Sequence, residues 1–341
     1  MKLLIYTQKV DIHDPILGFF HRWIEEFSKN YDIVTVICLE KGQYNLPTNV
    51  SVVSLGKENG RSRLKYIFRF YYYCFSLRRD YDAVLVHMNQ EYIILGGIFW
   101  IIMAKRIMFW RNHREGGWLT RIAVLFSNRV YCTSPYAYVA YYKKTKLMPV
   151  GIDTDFFKPS TYIYKKPYSL LFLGRISRVK NVNLFIEAVK ILREKKIDIS
   201  VTIVGDAFPK DKDYFNEIKK LISNYNLMSI IDLKSAVTNM DTLRFYQSHT
   251  LYVNLTPKGS QDKTVFESMA CETLTLFASE PAQTVPTVCL IDKIEPKLIA
   301  DKILILLNLS MGEKESLVTT LRDYTVQHHS LKKLATDICN E

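Results

Sequence analysis

The sequence has few cysteines, and none of them is spaced like a metal site. There is no Cys-x-x-Cys pair among the six, which stand at positions 38, 74, 132, 271, 289 and 339. Four of them lie in apolar runs, where a reduced thiol behaves as a small hydrophobic side chain. We therefore predict a cytoplasmic protein that has neither disulfides nor zinc.

Long apolar runs are also missing. The longest, residues 92–104, covers thirteen positions and is followed by Lys105 and Arg106. A membrane-spanning helix needs about eighteen or more apolar residues, so this run predicts a buried core helix. The N-terminus lacks the apolar region and the cleavage site of a signal peptide, so we do not expect secretion by that route.

The remaining composition is typical of a folded protein with two domains. The 341 residues are 48% hydrophobic and 23% charged, and this length fits two domains of about 150 residues each. The net charge is +12, and residues 1–150 carry +10 of it, with 21 Lys and Arg against 11 Asp and Glu. This asymmetry predicts that the first half meets an anionic partner.

The densest basic stretch is residues 57–79, with seven basic residues, seven aromatic residues and one glutamate. A basic amphipathic helix of this kind fits an anionic membrane surface. The alternative is an ordinary core helix with a solvated basic face. We do not expect a nucleic-acid partner, because no recognition motif accompanies the charge.

Strand-like and helix-like segments alternate along the whole chain, which indicates parallel α/β sheets. The predicted strands are 3–7, 33–39, 50–55, 83–87, 107–110, 130–133, 170–173, 201–204, 230–233, 251–255 and 274–277. The predicted helices are 17–28, 63–77, 91–103, 120–126, 136–143, 182–192, 214–225, 242–247, 264–271 and 296–307, with a last one near 330–338.

The alternation pauses near residues 148–167, where Pro and Gly interrupt it. We therefore predict two Rossmann-like, doubly wound domains, residues 1–150 and 151–325, with a ligand in the cleft between them. Residues 326–341 are expected to form a C-terminal helix that packs back on the first domain.

Two segments carry most of the chemistry. Arg175 and Lys180 follow a strand that ends at Gly174, and two cations at the start of a helix suit a diphosphate. A second loop, residues 258–263, leads into the helix that carries Glu267. The amides of that helix start can bind anions, and the carboxylate can accept hydrogen bonds from ribose hydroxyls.

Together these segments resemble the retaining nucleotide-sugar glycosyltransferases of the GT-B fold, family 4, or glycosyl transferases group 1. The resemblance is carried by residues 174–188, 203–206 and 266–271, and residues 150–159 look like that family's interdomain segment. It is strong over about residues 150–280 and looser before them.

The resemblance implies transfer of a hexose with retention of configuration, without a metal and with no cofactor besides the nucleoside-diphosphate sugar donor. Arg175 and Lys180 would neutralise the departing diphosphate, and Glu267 would hold the ribose. Other implied donor contacts are Gly174, Lys234, Ala236, Gly259, Ser260, Asp262, Lys263 and Thr264.

In the first domain the resemblance implies three further candidates. Gly18 lies in a loop that relatives bring close to the diphosphate, and His113 stands where the family has a histidine facing the donor sugar. His87, at the end of another predicted strand, is a secondary candidate. His328 and His329 are expected to begin the C-terminal helix and to be structural.

The chain departs from the family at two positions. Gly259 stands where the family often has a second glutamate, so backbone amides, Asp262 or Lys263 would have to hold the sugar hydroxyls. Glu272 directly follows the helix of Glu267, at a position where the family favours glycine. A non-glycine residue there costs about 1 kcal/mol if its backbone is left-handed. The Asp-x-Asp patterns at 153–155 and 211–213 are not expected to bind metal.

The sequence therefore predicts a glycosyltransferase of polysaccharide biosynthesis that moves a sugar to a glycan or lipid-linked acceptor. We expect it in the cytoplasm, peripheral to the inner face of the membrane through residues 57–79. The alternatives are a nucleotide-sugar epimerase of the same fold and a scaffold that binds nucleotide sugar without turnover.

Overall fold

A computed structural model describes residues 1–60, 62–259, 261–279 and 285–341. The chain divides into two compact units. Unit 1 comprises Met1–Gly151 together with Leu331–Glu341, and unit 2 comprises Ile152–Ser330. The divisions thus follow residues 151 and 330, whereas the sequence placed them after 150 and 325.

Unit 1 is a seven-stranded sheet with helices on both faces. Its strands are β1 (Lys2–Val10), β2 (Ile33–Lys41), β3 (Val50–Ser54), β4 (Ala83–His87), β5 (Arg106–Trp110), β6 (Arg129–Cys132) and β7 (Thr145–Leu147). Its helices up to residue 151 are α1 (Phe19–Ser28), α2 (Arg63–Ser76), α3 (Glu91–Ile102) and α4 (Trp118–Phe126). The strand order is β3-β2-β1-β4-β5-β6-β7, and every pair is parallel.

Helices cover both faces of this sheet, as expected for parallel strands with near-continuous hydrophobic runs. On one face, α1 packs with Trp23 and Phe27 in the core. On the other, α2, α3 and α4 cover a cluster that includes Phe70, Trp100 and Val124.

Unit 2 is a five-stranded parallel sheet. Its strands are β8 (Lys166–Leu173), β9 (Ser200–Val204), β10 (Ile231–Lys234), β11 (His249–Asn254) and β12 (Leu274–Phe277), in the order β10-β9-β8-β11-β12. Its helices are α5 (Val182–Glu194), α6 (Lys212–Asn224), α7 (Thr242–Ser248), α8 (Lys263–Ala270), α9 (Pro296–Leu307) and α10 (Met311–His329). The prediction of two Rossmann-like, doubly wound domains is therefore confirmed.

The last helix, α11 (Leu331–Cys339), belongs to unit 1. Its side chains Leu334, Ala335 and Ile338 are fully buried and join the same core as Trp23. The apolar spacing 331, 334, 335 and 338 gives one helix face, which explains why this short segment is helical.

Several local predictions are wrong. Residues 136–143 form only one 3-10 turn, Tyr138–Tyr141, instead of a helix. The helix α10 was not predicted, because its surface is mostly polar; it begins at a capping box in which Ser310 and Glu313 bind each other's backbone amides. His328 and His329 end α10 and do not begin the last helix.

The run 92–104 is a helix, as predicted, but it is not fully buried. Tyr92, Ile93 and Trp100 face the core, while Ile98, Ile101 and Ile102 are exposed. No described helix is long and apolar enough to cross a membrane.

Both sheets have one point where the strand order reverses. In unit 1 it lies between β1 and β4, and in unit 2 between β8 and β11. Loops that leave the carboxyl ends of neighbouring strands diverge at such a point and leave a crevice, where ligands of open α/β sheets bind.

Candidate functional site

Two glycines shape the loop that leaves β8. Gly174 has φ +146° and its amide donates to Val204 O at 3.0 Å. Gly205 follows β9 with φ +155°, and a Cβ there would lie 1.9 Å from Gly174 O. Only glycine allows this approach of two backbones, and it directs the chain toward Arg175.

Arg175 is exposed at the carboxyl edge of the sheet. Its guanidinium lies over the Phe208 ring, 4.6 Å from the ring centroid. Within the described part of the chain no carboxylate pairs with it. The stacked guanidinium can therefore present its N–H groups to an anion.

Lys180 connects the β8 loop to the loop after β11. Its Nζ donates to Thr256 Oγ1 at 3.0 Å and forms an ion pair with the Asp262 carboxylate. Asn181, in the left-handed conformation at φ 52°, joins the same loops through an Nδ2–H that donates to Leu255 O at 2.9 Å. These contacts hold the ammonium beside the start of α8.

Asp262 is the residue before α8, and its Oδ2 accepts several hydrogen bonds. Its Oδ2 accepts from Asn254 Nδ2 at 3.0 Å and from Thr256 Oγ1 at 3.2 Å, in addition to Lys180. Burial alone would raise the pKa of this carboxyl, but the Lys180 ammonium and the hydrogen bonds lower it to about 2. Asp262 is thus a charged side chain committed to positioning Lys180.

Glu267 lies one turn into α8 and is buried. Oε1 accepts from Asn239 Nδ2 and Oε2 from the Tyr246 hydroxyl, both at 3.0 Å. Burial raises the pKa of this carboxyl, and those two hydrogen bonds oppose the shift. Each oxygen has a second lone pair, so the carboxylate can still accept from a ligand hydroxyl.

Lys263 is the first residue of α8. Burial lowers the pKa of its ammonium to about 7, and attraction to Glu267 opposes the change. Its neighbour Thr264 turns inward, because its Oγ1 accepts from the Tyr252 hydroxyl at 2.7 Å and from Asn254 Nδ2 at 3.2 Å. The Thr264 side chain therefore supports the loop.

The other predicted donor contacts lie around this edge. Gly259 has φ +99°, a left-handed conformation in which a glutamate side chain would be strained. Ala236 N donates to Asp206 Oδ2 at 3.0 Å, and Lys234 Nζ pairs with Asp232 at 2.8 Å. Ser260, also predicted to contact the donor, lies outside the described residues.

Gly18 of unit 1 precedes α1 in a tight turn. A Cβ at this position would lie 2.5 Å from Asp14 O. The glycine is therefore required for close packing of the loop on its own backbone, with an ordinary negative φ of −56°.

The two predicted histidines of unit 1 have different environments. His87 is buried, with Nδ1 at 3.1 Å from Thr7 Oγ1 and the ring stacked on Phe20 at 4.0 Å. His113 is exposed, and its Nδ1 lies 3.1 Å from the backbone oxygen of Glu115. His87 thus packs in an aromatic core, whereas His113 lies in a surface loop after β5.

Sequence reasoning missed residues that complete the unit 2 site. Asn254 is the last residue of β11 and Thr256 lies two positions after it, so the rule that ligands bind at carboxyl ends of strands could have found them. Asn239 and Tyr246 are 28 and 21 positions from Glu267, so only the tertiary structure brings them to that carboxylate.

Residues 153–318 match the family model described as Glycosyl transferases group 1. A curated relative, D-inositol 3-phosphate glycosyltransferase of Pseudarthrobacter chlorophenolicus, is 24% identical over 146 residues, or 40% of this chain and 34% of that protein. The chain thus spans about a third of the length of that curated relative.

Solved structures resemble the chain over its full length. The Anabaena protein HepE in complex with UDP-glucose has a TM-score of 0.78 at 15% identity, covering 100% of this chain and 98% of that one. Sucrose-phosphate synthase from Thermosynechococcus elongatus has a TM-score of 0.77 at 13% identity, with the same two coverages. These likenesses show that the chain has the GT-B fold, and the segment 153–318 of this fold is the part that matches the family model.

Proposed function

We propose that the protein is a retaining, metal-independent hexosyltransferase that uses a nucleoside-diphosphate sugar as donor. The observation that carries this proposal is the cationic pair at the strand-order reversal of unit 2, with Lys180 anchored beside the start of α8 and Arg175 open to solvent. The structural relative that contains UDP-glucose supports a nucleotide-sugar donor.

The pair suits a diphosphate leaving group. An ammonium has three donors, and Asp262 and Thr256 use two of those on Lys180, so one remains for a phosphate oxygen. Arg175 adds a planar fork that can bind two oxygens. Because negative charge grows on the diphosphate as the glycosidic bond breaks, these cations stabilise the transition state more than the bound donor.

Glu267 and Lys263 are assigned to the rest of the donor. The buried carboxylate accepts from the ribose hydroxyls with its free lone pairs. Lys263, whose pKa is lowered by burial, contacts the sugar or a phosphate where Gly259 leaves no carboxylate. The main chain at Lys234 and Ala236 contacts the base, and no metal or further cofactor takes part.

Acceptor selection is assigned to unit 1, with Gly18 and His113 at its carboxyl edge and His87 as the secondary candidate. The acceptor is a hydroxyl of a glycan or of a lipid-linked sugar, in cytoplasmic polysaccharide biosynthesis.

Release of nucleoside diphosphate from nucleotide sugars tests the assignment. We expect Lys180→Met and Glu267→Ala to reduce release by about a hundredfold or more, since each loses a transition-state or donor contact. The control is Arg178→Met, because Arg178 lies on the same turn but pairs with Glu217 on the surface. Wild-type release by all three variants, with far-UV spectra unchanged, would contradict the assignment.

The same assay separates the alternatives. An epimerase converts one nucleotide sugar into another without releasing the diphosphate, and a scaffold binds the donor without any product. For a retaining transferase, proton NMR of the product gives the same anomeric coupling as the donor.

Unit 1 also supports a peripheral membrane surface. We define it as the outer face of α2 and α3, which pack together through Tyr71, Phe75 and Phe99. Phe68 and Ile102 are 74% and 76% exposed on it. Exposed basic residues of the same stretch are Arg63, Lys65, Arg78 and Arg79. Exposed apolar side chains on these two packed helices, with exposed basic residues in the same stretch, fit an anionic bilayer.

Sedimentation with vesicles of phosphatidylglycerol and phosphatidylcholine tests this surface. We expect wild type to bind at low salt, and the double variant Phe68→Ser with Ile102→Ser to lose most of the binding. Ile305→Ser is the control, because Ile305 is 50% exposed on α9 of unit 2. Equal binding of all three proteins, or none at either low or high salt, would end the proposal.

A further inference from the structure

Arg111 is the first residue after β5 and lies at the carboxyl edge of the unit 1 sheet. Its amide donates to Tyr131 O at 2.9 Å, which continues the sheet contact with β6 for one more residue. The neighbouring strand β4 ends at His87, and Met88 N donates to Trp110 O at 2.8 Å. Arg111 thus stands at the carboxyl edge of the sheet, next to β4, and β4 borders the strand-order reversal of unit 1 where open sheets bind ligands.

Among the described residues, the hydrogen bonds of the Arg111 guanidinium go to backbone oxygens. One terminal nitrogen donates to Met88 O at 3.4 Å and the other to Glu115 O at 3.2 Å. The third nitrogen, Nε, is buried and has no hydrogen-bond partner. Across residues 1–60, 62–259, 261–279 and 285–341, no carboxylate lies within ion-pair distance of this side chain.

This arrangement leaves a partly buried cation that has no carboxylate partner among the described residues. Burial lowers the pKa of Arg111, and the more distant Glu91 opposes that change only by attraction through space. A partly buried cation without a carboxylate is costly unless an anion binds it. A phosphate group meets that need, because its oxygens match the planar fork of a guanidinium.

The site also includes a candidate residue of the proposed function. Glu115 O accepts from Arg111, and His113 Nδ1 lies 3.1 Å from both the backbone N and O of Glu115, so the guanidinium and the imidazole contact the same backbone segment. The backbone of Met88 is left-handed, with φ 67°. The next residue, Asn89, donates from Nδ2 to Gln8 Oε1 at 2.8 Å. Arg111 thus contacts the backbone of Met88, directly after β4, and that of Glu115, in the loop after β5.

We infer that Arg111 binds a phosphate group carried by the acceptor and thereby holds the acceptor at the loop of His113. The inference rests on the proposed function, and it names the acceptor class as phosphorylated. A free sugar phosphate and the phosphate of a lipid carry the same chemistry.

The experiment measures binding of inorganic phosphate and, separately, of UDP to the full chain by titration calorimetry. The variants are Arg111→Gln, Arg111→Lys, Lys180→Met and Arg114→Gln. Arg114 is the matched control, because it is exposed in the same loop, has the same charge and has no partner within the described structure.

We expect Arg111→Gln to weaken phosphate binding about tenfold or more and Arg111→Lys to weaken it less, since lysine keeps the charge but loses the fork. Arg114→Gln should stay within about twofold of wild type for phosphate, whereas Lys180→Met, at the proposed diphosphate site, should lose affinity for UDP. UDP binding should persist in both Arg111 variants. Titrations with glucose 1-phosphate and with dihexanoyl phosphatidic acid then distinguish a sugar phosphate from a lipid phosphate. Only the compound of the acceptor class should bind more weakly to Arg111→Gln than to wild type.

Phosphate binding that is unchanged in both Arg111 variants, or lost only in Lys180→Met, would overturn the inference. Should neither phosphate ester depend on Arg111, the inference also fails. If wild type does not bind UDP at all, the proposed donor site fails, and that result is independent of the Arg111 comparison.

Discussion

A single carboxylate, Asp262, determines where the Lys180 ammonium lies. Predicted as a contact for sugar hydroxyls, it binds Lys180, Asn254 and Thr256 through Oδ2. The sequence could indicate Lys180 and Glu267, because each lies in a segment after a predicted strand that resembles the family. It could not indicate the network around them, because its members come from three loops that meet only in the fold.

The Asp262 network predicts a specific acid sensitivity of unit 2. The pKa of Asp262 is depressed to about 2, so its stabilisation is complete above the ordinary pKa near 3.8 and is lost as pH falls through 2. By pH 3, we expect about 1 kcal/mol of the unfolding free energy to be lost through this group.

Urea unfolding followed by circular dichroism at pH 5 and pH 3 measures this loss. The decrease in unfolding free energy from pH 5 to pH 3 should be about 1 kcal/mol smaller for Asp262→Asn than for wild type. The control Asp198→Asn changes an exposed aspartate with no partner in the described structure, and it should behave as wild type. An identical decrease in Asp262→Asn would refute the assigned ion pair.

At the scale of elements, long apolar strands and amphipathic helices were predictable, whereas weakly patterned segments were not. The strand β7 escaped prediction because it has only three residues, two of them polar, at the edge of the sheet. The helix α10 has few buried side chains, including Leu317, Leu321 and Thr325, so its periodicity is faint.

The end of α8 is strained at Glu272. This residue has φ 51°, as expected for the position where the family favours glycine. The left-handed backbone costs a non-glycine residue about 1 kcal/mol. Lys165 Nζ donates to the backbone oxygen of Glu272, and it would do so with any residue there.

We therefore expect Glu272→Gly to raise the unfolding free energy of unit 2 by about 1 kcal/mol relative to Glu272→Ala. The alanine variant is the matched control, because it removes the same carboxylate, 3.9 Å from Arg322 Nε, but keeps the Cβ. Circular dichroism in urea measures both. Equal midpoints for the two variants would mean that the left-handed backbone is not strained.

For the whole molecule, the two units can be followed separately. All four tryptophans, at positions 23, 100, 110 and 118, belong to unit 1. Their fluorescence therefore reports unfolding of unit 1 alone. This unit also includes the end of the chain, residues 331–341. The apolar spacing of the last residues predicts a final helix. That this helix joins unit 1 was expected only from the resemblance, and the structure shows it.

The α11 contact predicts that a change near the C-terminus destabilises the N-terminal core. Leu334 is fully buried in the cluster of Trp23 and Phe27, so Leu334→Ala should cost unit 1 about 2–5 kcal/mol. Tryptophan fluorescence in urea measures this change. Leu298→Ala, at an exposed position of α9, is the control. A fluorescence midpoint that does not move in Leu334→Ala would show that α11 adds nothing to the unit 1 core.

The central claim is that unit 2 binds a nucleoside diphosphate through Arg175 and Lys180, and calorimetric titration of the full chain with UDP tests it most directly. Wild type and Arg178→Met should bind UDP alike, whereas Arg175→Met and Lys180→Met should each bind about tenfold more weakly or worse. Equal affinity in all four proteins, with their unfolding midpoints unchanged, would contradict the account.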